Sequence, residues 1–126
     1  MTGEESPRRV GIVGSRHFAA LDQVEDYVRS LPPGASLVTG SASGVDAAAT
    51  RVARSRGLPV QVVAASFEEL GDAERAAERN RRLVGISDIL VAFWDGRSQG
   101  TRQTIERALD AGKEVHVFTR PDSSPG

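Results

Sequence analysis

Runs of β-branched and aliphatic residues recur along this chain, each stopping at a loop of small residues and each followed by a segment with helical spacing. Few folds accommodate that alternation. Short strands that are apolar throughout bury both faces, and strands separated by helices pair in parallel, so the pattern calls for a parallel sheet covered by helices on either side. The strands read as residues 9–13, 36–39, 60–63, 89–93 and 114–118. The run 89–93 is the most apolar and suits the sheet centre.

Between the strands, apolar residues follow the 3.6-residue period. Leu21, Val24, Val28 and Leu31 mark a first helix that Pro32-Pro33-Gly34 ends, because proline offers no amide donor. A second helix, residues 45–56, is rich in alanine (Ala47, Ala48, Ala49, Ala53), and Gly57 suits its C-terminal cap. A third spans 73–84 with Ala76, Ala77, Leu83 and Val84 as anchors; a fourth carries Ile105, Ala108 and Leu109, and Gly112 caps it. Residues 67–72 fit neither pattern. The expectation is an α/β, three-layer Rossmann-like domain over residues 9–118, with a five-stranded, mainly parallel sheet and helices on both faces. Residues 1–8 and 119–126 are polar or turn-rich and read as flexible.

Composition narrows the chemistry. A chain of 126 residues holds one domain. It has no cysteine, which removes disulfides, thiol catalysis and zinc-thiolate sites, and His17 and His116 make a poor metal set, so no metal or other cofactor is expected. Apolar runs stop far short of the roughly 20 residues of a membrane span, and the polar start lacks a signal peptide's apolar core; a cytoplasmic protein without a membrane partner is expected. The net charge of -1 argues against a domain-wide footprint for nucleic acid, although a local patch remains open. Of the 16 basic residues Lys113 is the sole lysine, and arginine's planar fork suits phosphate; composition bias explains the same preference.

In an open parallel sheet, ligands bind at the strands' carboxyl edge, where the strand order reverses. The Gly/Ser-rich loops all fall on that edge. Gly14-Ser15-Arg16 follows the first strand, Gly40-Ser41-Ala42-Ser43-Gly44 the second, and residues 95–101 the fourth. Each precedes a helix whose first amides lack intrahelical partners, and glycine lets a backbone approach an anion closely. Ser15, Ser41, Ser43, Ser98 and Thr101 add hydroxyls. Strand-to-helix loops need glycine and caps in any case, so it is their coincidence that points to phosphate. Neither GxGxxG nor a Gly-Lys-Ser/Thr loop occurs, which separates the chain from standard dinucleotide and P-loop sites.

Read together, Val13-Gly14-Ser15-Arg16, Thr39-Gly40-Ser41-Ala42-Ser43-Gly44-Val45-Asp46, Glu78-Arg79-Asn80-Arg81 and Gly96-Arg97-Ser98-Gln99-Gly100-Thr101 resemble, in order and spacing, the SLOG superfamily of Rossmann-like nucleotide-ligand domains. The short, free-standing YspA-like family is nearest in size, and the core of the DNA-processing protein A family is also similar. The resemblance implies a nucleotide pocket with Gly14, Ser15, Arg16, Gly40, Ser43, Gly44 and Asp46 on one side and Ser98, Gly100 and Thr101 holding phosphate on the other. It puts Arg79 and Asn80 beside that pocket, and the superfamily's habit implies a homo-oligomer, commonly a homodimer. Asp46 suits either a ribose hydroxyl or the helix dipole, and Asp95 could orient a ligand or simply close its loop. Trp94 suits base stacking or the sheet rim. His17, next to Arg16, is a candidate proton carrier.

Three functions are then open: binding or sensing of a nucleotide or nucleotide-derived ligand, single-stranded DNA binding, and nucleotide N-glycosidic hydrolysis. The sensing reading leads. LOG-like phosphoribohydrolases use Pro-Gly-Gly-x-Gly-Thr-x-x-Glu, and the glutamate position here is Thr104; Glu106 lies about 200° around a helix from it and cannot simply substitute. Single-strand binding meets a near-neutral charge and few aromatic residues for stacking.

Overall fold

The computed structural model describes residues 8–15, 18–40, 44–63 and 71–119. Within them the strands are β1 (Arg9–Gly14), β2 (Ser36–Thr39), β3 (Val60–Val62), β4 (Ile89–Phe93) and β5 (Glu114–Phe118). They alternate with helices α1 (Leu21–Arg29), α2 (Val45–Ser55), α3 (Asp72–Ile86) and α4 (Gln99–Asp110). Every strand pair is parallel, in the order β3-β2-β1-β4-β5. With α1 and α2 on one face and α3 and α4 on the other, the chain is the three-layer α/β fold that the alternation predicts.

The two-residue period of each strand divides its side chains between two cores. From β4, Ile89, Val91 and Phe93 enter the core under α1 and α2, whereas Leu90 and Ala92 enter the core under α3 and α4. The first core is closed by Val24 and Val28 of α1 and by Val45, Ala48, Ala49, Val52 and Ala53 of α2. It also holds an aromatic cluster, in which Phe93 stacks on Phe118 at 5.1 Å and meets Phe18 edge-on at 5.7 Å. Tyr27 completes the cluster against both Phe93 and Phe118.

Several details differ from the sequence reading. The middle of the sheet belongs to β1, not β4, and β1 is the less apolar because Gly11 gives way to Ser87 and Leu83 at the end of α3. Leu109 is 58% exposed and Ala77 is exposed, so neither is a core anchor. The buried stripe of α4 is instead Thr101, Thr104, Ile105 and Ala108, at the i, i+3, i+4, i+7 spacing; two of its members are threonines, which an apolar count overlooks. Leu31 lies beyond the end of α1 yet is buried, and Val63 lies beyond β3 while its amide still donates to Thr39 O at 2.7 Å. Gly57 and Gly112 do follow their helices with φ of +74° and +75°, the conformation that favours glycine. Among the described residues no helix is long and apolar enough to cross a membrane.

Candidate functional site

The strand order reverses between β1 and β4. From β1 the chain proceeds towards β2, from β4 towards β5, so the loops after these two strands part company and leave a crevice at their carboxyl ends. Ser15 and Asp95 lie at its base, one from each loop. The Ser15 amide donates to Phe93 O at 2.9 Å, which carries the β1–β4 pairing past the strand end. Its hydroxyl, 2% exposed at the residue level, lies 3.2 Å from Asp95 Oδ1 and 3.4 Å from Thr101 Oγ1 and accepts from the Asp95 amide at 3.1 Å.

Asp95 Oδ1 also accepts from the amides of Arg97 (2.8 Å) and Ser98 (2.9 Å). These donors favour the ionised carboxylate; the Arg97 and Ser98 amides, ahead of the Ser15 hydroxyl, hold its pKa below the ordinary aspartate range although partial burial opposes them. The β4–α4 loop is thereby fixed. Ser98 then caps α4, accepting from the Thr101 amide at 3.3 Å, and the Trp94 indole donates to Ser98 O at 3.0 Å. Trp94 is thus a rim residue packed against the second core, and its ring closes the loop.

Above this base opens a cleft of about 390 Å³. Gly14 and Gly40 contribute the ends of β1 and β2, Asp46 the first turn of α2, Arg79 and Asn80 the middle of α3, and Ser98, Gly100 and Thr101 the start of α4. Residues far apart in sequence therefore share one concave surface. Ser15 and Asp95 support it from below and do not line it, and Gly44 is set back at the N-terminus of α2 with φ +73°. Arg16, Ser41, Ser43 and His17 lie outside the described residues.

The walls are chemically unequal. A Cβ built on Gly40 would lie 3.0 Å from Asp46 Oδ2 and 3.1 Å from both Cδ and Nε of Arg79, so the absence of a side chain there lets these two groups close over the end of β2. Asp46 is 7% exposed. On the α3 wall of the cleft, Arg79 Nε is buried and meets no hydrogen-bond acceptor among the described residues. Nη2 of that guanidinium donates to Asn80 Oδ1 at 3.5 Å. Facing α3 is the first turn of α4, which carries no acidic residue and whose opening amides, at Gln99 and Gly100, have no intrahelical acceptor.

Sequence reasoning missed Val13, Ala76, Leu83 and Thr104 as lining residues. A usable signal existed. Ala76, Arg79, Asn80 and Leu83 fall at i, i+3, i+4 and i+7, so the helix face that should bury apolar residues against the sheet carries an arginine and an asparagine. Thr104 is 2% exposed, and its hydroxyl donates to Gly100 O at 2.8 Å. Glu106 points away from the cleft, exposed and paired with Arg102 at 3.1 Å. Among the described residues, Asp46 is the carboxylate on the cleft wall, and no cluster of three or more His, Cys, Asp or Glu could hold a metal ion.

No family profile and no curated sequence matches this chain. Solved structures do resemble it. The X-ray structure of DNA processing protein A from Streptococcus pneumoniae superposes with a TM-score of 0.80 at 21% identity, over 94% of this chain and 52% of that one. DNA processing protein A from Helicobacter pylori, in a structure describing its single-stranded DNA binding mode, gives 0.77 at 19% identity, over 94% and 68%. This chain thus spans about half the length of the pneumococcal protein. At these identities the likeness is one of fold: a Rossmann-like α/β domain built like that of DNA processing protein A.

Proposed function

We propose that the chain binds single-stranded nucleic acid, seating one phosphate-bearing unit in the cleft between α3 and α4. The observation that carries this reading is Arg79: a cation on the cleft wall whose guanidinium meets no carboxylate among the described residues, across from the acid-free N-terminal turn of α4. The half-buried Arg79 side chain lines the cleft, where its guanidinium offers an anionic ligand charge-assisted hydrogen bonds. Phosphate fits between Arg79 and the Ser98–Gly100–Thr101 turn, where helix amides and hydroxyls face it. Asp46 accepts a sugar hydroxyl or a base amino group, since a carboxylate repels phosphate.

The fold likeness supports a single strand over a free nucleotide, because the Helicobacter pylori protein binds single-stranded DNA. The aromatic residues shape the expected affinity. Phe18, Tyr27, Phe93 and Phe118 are committed to the core and Trp94 to its loop, so none of these rings is free to stack on a base, phosphate contacts dominate the affinity, and binding is strongly salt-dependent.

Fluorescence anisotropy with a 5′-labelled oligothymidylate tests this. Retention at low salt that falls steeply as salt rises, and is weakened by Arg79→Ala, is the expected result. No retention at low salt overturns it. The enclosed volume of about 390 Å³ favours a second reading, a free nucleotide ligand, since that is the size of a small-molecule pocket. Thermal stabilisation by thymidine 5′-monophosphate without oligonucleotide binding would select it.

A further inference from the structure

Beside the cleft, on the other side of Gly40 and Asp46, runs a second groove of about 560 Å³ between α2 and the edge strand β3. Its wall is a second face of α2. Ala47, Thr50, Arg51 and Arg54 stand at i, i+3, i+4 and i+7, while the core face of the same helix uses Val45, Ala48, Ala49, Val52 and Ala53. Val62 of β3, 43% exposed, forms the opposite wall. We propose that this groove is a second nucleotide subsite, which takes the unit adjoining the one in the cleft on the same strand.

This inference rests on the single-strand reading and extends it. Gly40 and Asp46 line both depressions, so the two adjoin at the end of β2 and the start of α2, within reach of neighbouring units of one strand. The groove has the chemistry of one nucleotide. Ala47 and Val62 offer an apolar surface for a base, and Arg51 and Arg54 stand on the rim where the backbone phosphates pass. Arg51 is already paired with Glu25 of α1, but Arg54 has no ion-pair partner among the described residues. Asp46, between the two subsites, marks where a sugar or base edge and not a phosphate crosses. A nearly neutral protein thereby gathers Arg79 in one depression and Arg51 and Arg54 in the one adjoining it.

Two probes and two variants separate this subsite from the cleft: thymidine 5′-monophosphate, read by melting shift, and a 5′-labelled thymidine octanucleotide, read by anisotropy across a salt series. For the full chain carrying Arg51→Gln and Arg54→Gln, octanucleotide affinity should fall about tenfold, as expected for one or two exposed charge-assisted hydrogen bonds. The slope of its log-affinity against log-salt should drop by about 0.7 for each phosphate that the variant no longer neutralises. The monophosphate shift should not change. Wild-type octanucleotide affinity and slope in that variant overturn the subsite, as does an equal loss for both probes, which would reflect the general field of the protein. Arg79→Ala is the separate control. Should it leave both probes unaffected, the cleft reading fails and the subsite with it; should it weaken both while the α2 variant weakens neither, the cleft stands and only the subsite falls.

Discussion

Replacing Gly14 with alanine would place a methyl carbon 2.4 Å from Val45 Cγ2, 2.6 Å from its Cβ and 2.7 Å from its Cγ1. Ordinary contact begins near 3.4 Å, so the end of β1 and the start of α2 must separate by about 1 Å. Val45 is 2% exposed and is the first residue of α2, so it has no free volume to turn into and the helix itself must move. Overpacking of this kind costs roughly 1–3 kcal/mol. Losing glycine's freedom in the unfolded chain returns about 0.4–1 kcal/mol. Because the clash involves a Cβ and not the tip of a flexible chain, a net destabilisation of about 1.5–2 kcal/mol follows. With an unfolding entropy of roughly 2.1 cal/mol/K per residue, the melting temperature should fall by about 6–8 °C. Scanning calorimetry measures it, with Gly100→Ala as the control. A Cβ at Gly100 meets no atom within 4 Å, so that variant should melt at or a few degrees above the wild type. A Gly14→Ala protein melting within about 2 °C of the wild type would refute the idea that close packing of α2 requires glycine there.

Gly40→Ala should separate folding from binding: the atoms nearest its methyl group belong to the side chains of Asp46 and Arg79, so the melting temperature should hold while nucleotide and oligonucleotide binding is lost, and retained affinity would count against the cleft. Ser15→Ala strands the Asp95 amide and removes a donor from the carboxylate, for an expected loss of about 1–3 kcal/mol in chemical denaturation. Asp95 has a folded-state pKa below its unfolded value of about 3.9, so its stabilisation is present above that value and is lost as pH falls through the folded one. Asp95→Asn should therefore flatten the melting-temperature profile below about pH 4; Asp88, held low chiefly by the Arg9 amide, would keep part of the slope. An unaltered profile would dissociate Asp95 from the acid response. Phe93→Ala, at a fully buried residue shared by the aromatic cluster, should cost about 3–5 kcal/mol by the same denaturation measurement.

Much of the fold was legible in the amino-acid sequence because the governing signals are local. Strand runs that are apolar on both faces, helical spacing, and glycines at the helix ends act over a few residues, and they place the strands and the first three helices to within a residue or two, whereas α4 begins at Gln99, inside the stretch read as a loop through Thr101. The crest of the site was legible for a related reason: strand-to-helix loops of a parallel sheet share one edge whatever the strand order, so Gly14, Gly40 and Ser98 were bound to be on it. The misplaced residues failed where a local rule met a tertiary fact. Leu109 and Ala77 are apolar but lie outside the stripe that faces the sheet, while Thr101 and Thr104 are polar and lie inside it.

Only the tertiary structure decided which loops became neighbours. The order β3-β2-β1-β4-β5 sets β1 against β4, and so brings Ser15 within hydrogen-bond distance of Asp95, 80 residues away. It also reassigned residues that sequence had treated alike. Ser15 and Asp95 brace the loops from below, Gly14 makes room for Val45, and Gly40 lets Asp46 and Arg79 close over the strand end. No periodicity encodes these distinctions, because they depend on which side chain from a distant element fills the space next to each residue. The sequence determined an edge rich in glycines, hydroxyls and helix N-termini; packing determined which of them face the cleft, and set Arg79 among them on its wall.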